Sequence, residues 1–88
     1  MINNQNLNKL EPELSRQAFN YLSALDRPTK QSLKSAIDGI PEGDIIPLKG
    51  YSDGRKRLRK GKYRVIFINE PDKPIKILSI GARGDIYK

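Results

Sequence analysis

The residues best suited to chemistry lie in one basic run, Arg55 to Arg64, which reads RKRLRKGKYR. Seven of these ten residues are cationic, out of seventeen Lys and Arg in an 88-residue chain. A guanidinium group is planar, permanently charged and able to donate paired hydrogen bonds to a phosphate. The run therefore indicates a site that binds a phosphodiester backbone, although a solvated strand edge that resists aggregation explains the composition equally well. Its cationic residues are Arg55, Lys56, Arg57, Arg59, Lys60, Lys62 and Arg64.

The same run is predicted to contribute to two strands, over residues 55–59 and 62–69, joined by a turn at Lys60-Gly61. The second strand contains an apolar run, Val65 to Ile68, and should be covered on both faces of a sheet. Successive side chains of a strand point to opposite faces. The first strand should therefore present a row of arginines on a rigid scaffold. That row is Arg55, Arg57 and Arg59, and the opposite face holds Lys56 and Leu58.

The positive charge of the chain is concentrated in its second half. Residues 1–48 hold five Lys and Arg against six Asp and Glu, whereas residues 49–88 hold twelve against four. The net charge of +7 at pH 7 therefore comes from the second half. Such a field attracts polyanions. Nucleic acid is the expected partner, ahead of an anionic membrane, which favours a basic amphipathic helix, and ahead of an acidic protein segment.

Composition excludes several kinds of site. The chain has no Cys and no His, so it lacks the usual ligands of transition metals and the residues of serine–histidine or cysteine–histidine catalysis. Its length of 88 residues corresponds to one domain with one modest core. There is no signal-peptide pattern and no long apolar run. These features predict a soluble, cytoplasmic protein with no metal and no other cofactor.

Two helices are predicted in the first half of the chain. The first follows Ser15 as N-cap, and the second begins around Pro28 and ends near Gly39. Because only residues 26–28 join them, the helices should form an antiparallel hairpin. Their apolar stripes, together with Phe19, are expected to pack in the core. The stripes are Ala18, Tyr21, Leu22 and Leu25 in the first helix and Leu33, Ala36, Ile37 and Ile40 in the second.

The remaining segments are predicted as loop or strand. Residues 1–8 are polar and lack periodicity, which indicates a loose segment. Pro12 limits any strand over residues 9–14 to a short one. Residues 41–54 contain two prolines and three glycines and are expected to form a loop. A last strand is predicted over residues 75–81.

Three pieces of sequence follow the predicted helices in a fixed order: IPEGDIIPLKGYSDG, RLRKGKYRVIF and ILSIGARGDIYK. Together they resemble the RelE/ParE superfamily of toxins from toxin–antitoxin pairs, and the RelE-type mRNA interferase branch more than the gyrase-directed ParE branch. The resemblance covers residues 14–88, which would form a single RelE-like domain after an N-terminal segment of residues 1–13. It implies an α+β fold with a short N-terminal strand, a two-helix hairpin and a three-stranded antiparallel sheet.

The resemblance also implies an activity and partners. RelE-type toxins are endoribonucleases that cut mRNA in the ribosomal A site and so arrest translation. The 2′-hydroxyl attacks the adjacent phosphorus without a metal, leaving a cyclic phosphate and a 5′-hydroxyl. The expected partners are therefore mRNA in the A site, ribosomal RNA and a cognate antitoxin protein. Such a reaction needs a base, cations for the charged transition state and an acid for the departing oxygen.

Individual residues receive roles from the resemblance. Arg64 corresponds to the arginine that binds the phosphate and stabilises the transition state. Arg83, after the glycine of the last strand, is expected near the leaving oxygen, and Tyr87 is expected to stack on a base or handle a proton. Arg57 completes the catalytic set as one of two basic residues on the preceding strand. The expected RNA-binding residues are Arg55, Lys56, Arg59, Lys60, Lys62 and Lys49.

Two departures from the family pattern leave the proton transfers open. Arg55 and Arg57 stand where some RelE-type enzymes have lysines, and an arginine is a poor general base. The base is therefore Tyr87, a lysine such as Lys56, or no dedicated group at all. Ala82 stands where many relatives have a histidine before the tail arginine. The alternative functions are a non-nuclease, ParE-like inhibitor of DNA gyrase and a basic RNA-binding module without catalysis.

Overall fold

The computed structural model describes residues 11–82, which form a short strand, two helices and four further strands. The predicted α+β class is confirmed. The predicted loose segment, residues 1–8, lies outside the described residues, and the expected boundary between residues 13 and 14 falls inside the first strand. The elements are β1 (Glu13–Leu14), α1 (Arg16–Ser23), α2 (Arg27–Asp38), β2 (Asp44–Pro47), β3 (Lys56–Lys60), β4 (Tyr63–Ile68) and β5 (Lys76–Ala82).

The five strands form one mixed sheet in the order β1-β5-β4-β3-β2. The prediction of three strands is wrong in number, although the three predicted strands, β3, β4 and β5, are antiparallel neighbours as expected. β1 forms one edge by pairing in parallel with β5, where Glu13 lies opposite Lys76. A parallel pair needs a long connection between its strands. Here that connection includes both helices, so no local pattern indicates the pairing.

Beyond the two residues of β1, the edge of β5 forms hydrogen bonds with side chains of the residues that follow β1. The Ser15 hydroxyl donates to the carbonyl of Leu78 at 2.8 Å. The Gln17 amide donates to the carbonyl of Ile80 at 2.8 Å and accepts from the Ile80 N–H at 3.0 Å. An unpaired strand edge invites association with other chains. These contacts therefore attach the start of α1 to the sheet and satisfy some of the unpaired backbone groups of β5.

The other edge is β2, which lies in a segment predicted to be loop. That prediction is wrong for Asp44–Pro47, which pairs antiparallel with β3. Ile45 lies opposite Leu58 and packs against the core. Pro47 ends the strand at the sheet edge, where a missing N–H donor is tolerated. The sequence did not indicate this strand because two isoleucines are too short a pattern to define one.

The β3–β4 hairpin is displaced by one residue from its predicted position. β3 begins at Lys56 rather than Arg55, and the loop is Gly61-Lys62, with Lys60 paired to Tyr63. The glycine of this loop has a φ of 60°. Glycine adopts positive φ without steric cost, and two-residue hairpins favour such a turn. The displacement does not change which residues of β3 share a face, because every second residue of a strand points to the same side.

Both helices begin at caps close to the predicted positions. The Ser15 hydroxyl accepts a hydrogen bond from the N–H of Ala18 at 3.0 Å. The Asp26 carboxylate accepts one from the N–H of Thr29 at 3.4 Å, and Pro28 lies in the first turn of α2. Hydrogen bonding to Thr29 lowers the pKa of Asp26 below its usual value of 3.8. The cap therefore carries a negative charge at neutral pH, which the helix dipole favours.

Both helices contribute to the core on one face of the sheet, where α1 lies against β5 and α2 lies against β3. The predicted apolar stripes are confirmed as core or as residues packed against it. Phe19 is an exception, because it is 58% exposed next to the buried Ala18 on the helix surface. The buried core residues are Ala18, Leu22, Leu33, Ile37, Ile40, Leu58, Val65, Phe67, Ile77 and Ile80.

Candidate nucleic-acid interface

Strand alternation gives β4 two different faces. Val65 and Phe67 belong to the helix-side core. Arg64 and Ile66 point to the other side of the sheet, yet only 8% and 4% of their surfaces are exposed. The expected burial of this strand on both faces is therefore confirmed. Because residues opposite each other in an antiparallel pair share a face, the register extends this assignment to the neighbouring strands.

Two rows of residues cross the sheet on the side away from the helices. Each row takes one residue from each of β2, β3, β4 and β5. We call the surface formed by these two rows the arginine face. The first row is Asp44, Arg59, Arg64 and Gly81, and the second row is Ile46, Arg57, Ile66 and Ser79.

Asp44 links two of the arginines on this face. Its Oδ2 atom lies 2.6 Å from Nε of Arg59, and its Oδ1 atom lies 3.4 Å from Nη2 of Arg57. The predicted placement of these two arginines on one face is confirmed. Asp44 is separated from them by 15 and 13 residues, so no local motif in the sequence pointed to it. Three arginines and one aspartate leave the face with a net positive charge.

Arg64 is the buried charge of this site. It is 8% exposed and is the one buried polar or charged residue of residues 11–82. Its Nη1 atom donates to the carbonyls of Gly61 and Tyr63 at 3.4 and 3.3 Å. No carboxylate in the described part of the chain forms an ion pair with it. A guanidinium held only by carbonyls retains its full charge for an anionic ligand.

Arg57 has an unsatisfied donor beside this charge. Its side chain is 14% exposed. Its Nε atom is buried, and it has no hydrogen-bond partner within the described residues. A buried donor without a partner is unusual in a folded protein, because burial of a polar group costs free energy unless the group is hydrogen-bonded. Arg57 and Arg64 together thus offer donors that a phosphate oxygen could satisfy.

Arg55 was predicted to share a face with Arg57 and Arg59, but it is not part of the arginine face. It precedes β3, and its guanidinium binds Asp53, with Nη2 2.6 Å from Oδ2 and Nε 3.1 Å from both carboxylate oxygens. Its Cζ atom lies 4.2 Å from the ring centroid of Tyr51. Hydrogen bonding to Arg55 lowers the pKa of Asp53, and Asp53 in turn raises the pKa of Arg55. Tyr51 and Asp53 belong to the predicted loop, and no pattern in the sequence assigned them a role.

None of the four lysines expected to bind RNA belongs to the two rows of the arginine face. Lys56 and Lys60 occupy helix-side positions of β3, opposite Phe67 and Tyr63. This placement argues against Lys56 as the general base of a reaction at Arg64. Lys49 is exposed in the loop between β2 and β3. Lys60 and Lys62 line a groove of about 300 Å³ with Pro28, Thr29, Ser32, Leu33, Gly61 and Tyr63.

The two remaining predicted catalytic residues, Arg83 and Tyr87, lie outside the described residues. Their places in the site stay predictions. Within residues 11–82, neither helix has the length or apolar composition needed to cross a lipid bilayer. The same part of the chain has no group of three or more acidic side chains placed to hold a metal ion.

Comparison with known proteins identifies the fold. No protein-family model and no curated protein matches the chain. A structure of a RelB–RelE antitoxin–toxin complex from Methanococcus jannaschii matches with a TM-score of 0.67 and 21% identity, over 85% of this chain and 94% of that one. The intact RelBE toxin–antitoxin complex of E. coli matches with a TM-score of 0.58 and 19% identity, over 82% and 94%. The chain therefore has the RelE-like fold, as the sequence resemblance predicted.

Proposed function

We propose that this protein is the toxin of a toxin–antitoxin pair and that it cleaves mRNA in the ribosomal A site. The RelE-like fold supports this assignment at the level of architecture. The observation that carries it is the buried Arg64, which has no ion-pair partner among residues 11–82 and lies in one row with Arg59. A positive charge kept out of water and left unpaired suits the binding of a phosphate whose charge grows in the transition state.

The proposed reaction is an intramolecular transesterification, in which the phosphoryl group of the RNA moves from the 5′ oxygen to the 2′ oxygen. A base removes the proton of the 2′-hydroxyl, and the 2′ oxygen forms a bond to the adjacent phosphorus. The bond from phosphorus to the 5′ oxygen breaks, and that oxygen takes up a proton from solvent water. Arg64 and Arg57 donate hydrogen bonds to the phosphate oxygens, which carry the added negative charge at the transition state. The products are a 2′,3′-cyclic phosphate and a 5′-hydroxyl.

Asp44 is the general base in this proposal. The sequence left the base open among Tyr87, Lys56 and no dedicated group. Lys56 lies on the helix side of the sheet, whereas the Asp44 carboxylate lies on the arginine face in the row of Arg64. An ionised carboxylate accepts hydrogen bonds and can accept a proton. The Asp44 side chain is 43% exposed, so a ribose hydroxyl could reach it.

The partners follow from the same surface. The two solved structures described above are complexes of a toxin with its antitoxin, and we propose that this protein is likewise neutralised by a cognate antitoxin. An acidic segment of that partner would complement the positive field of residues 49–88. In its absence the cationic surface would bind ribosomal RNA and direct the protein to mRNA on translating ribosomes, in the cytoplasm.

Cleavage of mRNA on translating ribosomes tests the proposal directly. The purified protein is added to ribosomes translating a defined mRNA, and new 5′ ends are mapped. We expect cuts within A-site codons, and we expect Arg64→Ala to reduce cleavage by about 10²- to 10³-fold, as for loss of one donor to a transition-state oxygen. Arg16→Ala removes the same charge from an exposed position of α1 and should cleave normally.

Two outcomes would contradict the proposal. Equal cleavage by the Arg64→Ala variant and the wild type would show that the arginine face is not the site. No cleavage by a folded and toxic wild-type protein would show that it is not a ribosome-dependent nuclease. In the second case, assays of gyrase supercoiling and of RNA binding would separate the ParE-like function from a non-catalytic RNA-binding module.

A further inference from the structure

An exposed aromatic ring lies against the guanidinium of Arg55, the residue that precedes β3. Tyr51 is 52% exposed, in the loop between β2 and β3. The Cζ atom of Arg55 lies 4.2 Å from the centroid of its ring. Arg55 is fixed in turn by three hydrogen bonds from its side chain to the carboxylate of Asp53. One face of the ring therefore lies against a guanidinium that is hydrogen-bonded to a carboxylate.

The charges in this cluster are already satisfied. Asp53 neutralises Arg55, so the pair adds no net charge with which to attract a phosphate. What the cluster still offers is the exposed surface of the Tyr51 ring. An aromatic ring that is ordered before binding loses little conformational freedom when a flat ligand stacks on it. Stacking of unpaired bases on aromatic side chains is the main way in which proteins bind single-stranded RNA.

The position of the cluster relates it to the arginine face. Arg55 directly precedes β3 and has the same sequence parity as Arg57 and Arg59. The N–H of Leu48 donates to the carbonyl of Arg55 at 3.1 Å, which joins the two ends of the loop at the sheet. Two residues of a strand span about 7 Å. A single strand of RNA with its phosphates on Arg57 and Arg59 would therefore continue towards Tyr51.

We propose that Tyr51 is a stacking platform for one unpaired nucleobase of an RNA strand that lies along the arginine face. The proposal rests on the proposed function for the presence of that strand. In this arrangement Arg55 covers one side of the ring, the base covers the other, and Asp53 keeps Arg55 in place. The site is selective for a base over a bare phosphate backbone, because the local charge is neutral and the available surface is aromatic.

Fluorescence of a Tyr51→Trp variant tests the stack. The chain has no tryptophan, so the substitution introduces a single reporter at the proposed platform. The probe is a short 2′-O-methyl RNA, which lacks the nucleophile for cleavage, and the comparison probe is an abasic oligonucleotide of equal length and charge. We expect quenching by the base-containing probe and little quenching by the abasic probe when each is at saturation. Phe19→Trp, at an exposed position of α1, should respond to neither.

Binding affinity for the RNA provides a second measurement, which does not depend on the tryptophan reporter. Tyr51→Phe keeps the ring and should bind the 2′-O-methyl RNA like the wild type. Tyr51→Leu removes the ring and should weaken binding by about tenfold or more, since base stacking contributes on that scale. Because Tyr51 is half exposed, both variants should fold, which their circular dichroism and thermal unfolding would check.

In the fluorescence measurement, the platform would be overturned if the abasic probe or an acidic polypeptide quenched the fluorescence of the Tyr51→Trp variant as strongly as the base-containing RNA. In the affinity measurement, it would be overturned if the Tyr51→Leu variant bound the RNA as tightly as the wild type. It would also be overturned if the wild type did not bind the RNA. Failure of the nuclease proposal is distinguishable, because it appears as absence of ribosomal cleavage while quenching persists. Cleavage that persists without quenching would reject the platform alone.

Discussion

The two faces of β3 and β4 contrast sharply although they are built from the same two strands. On the helix side, Leu58, Val65 and Phe67 are at most 2% exposed and lie in the apolar core. On the other side, Arg57, Arg59 and Arg64 carry three positive charges against the single carboxylate of Asp44. One face therefore stabilises the fold, while the other holds charges in a fixed arrangement. The contrast shows how a small domain can keep a charged site rigid, because the backbone beneath it is anchored by the core.

The largest expected effect comes from the helix side. Phe67→Ala should destabilise the protein by about 3–5 kcal/mol, because it removes a fully buried aromatic side chain and leaves a cavity. Phe19→Ala is the matched control, since Phe19 is 58% exposed, and it should change stability by no more than about 0.5 kcal/mol. Urea unfolding measures both. Equal stabilities of the two variants would contradict the assignment of the core to one face.

A change on the arginine face should separate binding from catalysis. Asp44→Asn removes the proposed base, which should lower the cleavage rate by about 10²-fold. It also removes the negative charge beside Arg57 and Arg59, so the affinity for RNA should stay the same or increase. Single-turnover cleavage and equilibrium binding measure the two effects. Asp72→Asn, in the loop between β4 and β5, is the control, and unchanged cleavage by Asp44→Asn would remove Asp44 as the base.

The junction between α1 and the edge of β5 should have an intermediate effect on stability. Gln17→Ala leaves both the N–H and the carbonyl of Ile80 without their side-chain partner. Ile80 is fully buried, so we expect a loss of about 1–3 kcal/mol. Asn20→Ala, at an exposed position of the same helix, should have little effect. A Gln17→Ala variant as stable as the wild type would show that the edge is satisfied in another way.

The smallest effect concerns the loop cluster and depends on pH. Hydrogen bonding to Arg55 lowers the pKa of Asp53 below its usual value of 3.8. The Arg55–Asp53 pair therefore stabilises the folded protein fully above pH 3.8. This stabilisation is lost as the pH falls through the lower pKa that Asp53 has in the folded protein. NMR titration of the Asp53 carboxyl carbon should give a midpoint below 3.8. A midpoint at or above that value would contradict the fixed Arg55–Asp53 pair.

Local features of the sequence predicted much of the fold. Ser15 and Pro28 marked the helix starts, because caps and first-turn prolines act within one turn of a helix. The apolar spacing of the helices identified the core, and the basic and apolar runs identified β3 and β4. Alternation placed Arg57 and Arg59 on one face without knowledge of the exact strand ends. These properties depend on residues close together in the chain, which is why the sequence alone could predict them.

Interactions between distant residues were decided only by the tertiary structure. The parallel pairing of β1 with β5 and the contacts of Ser15 and Gln17 with β5 join positions 63 residues apart. Asp44 reaches the arginines because β2 pairs with β3, and β2 is too short to be recognised by itself. Composition and local spacing thus determined which residues form helices, core and basic surface. The partners of those residues depended on how the chain folds back on itself, because hydrogen bonds and ion pairs form between neighbours in space.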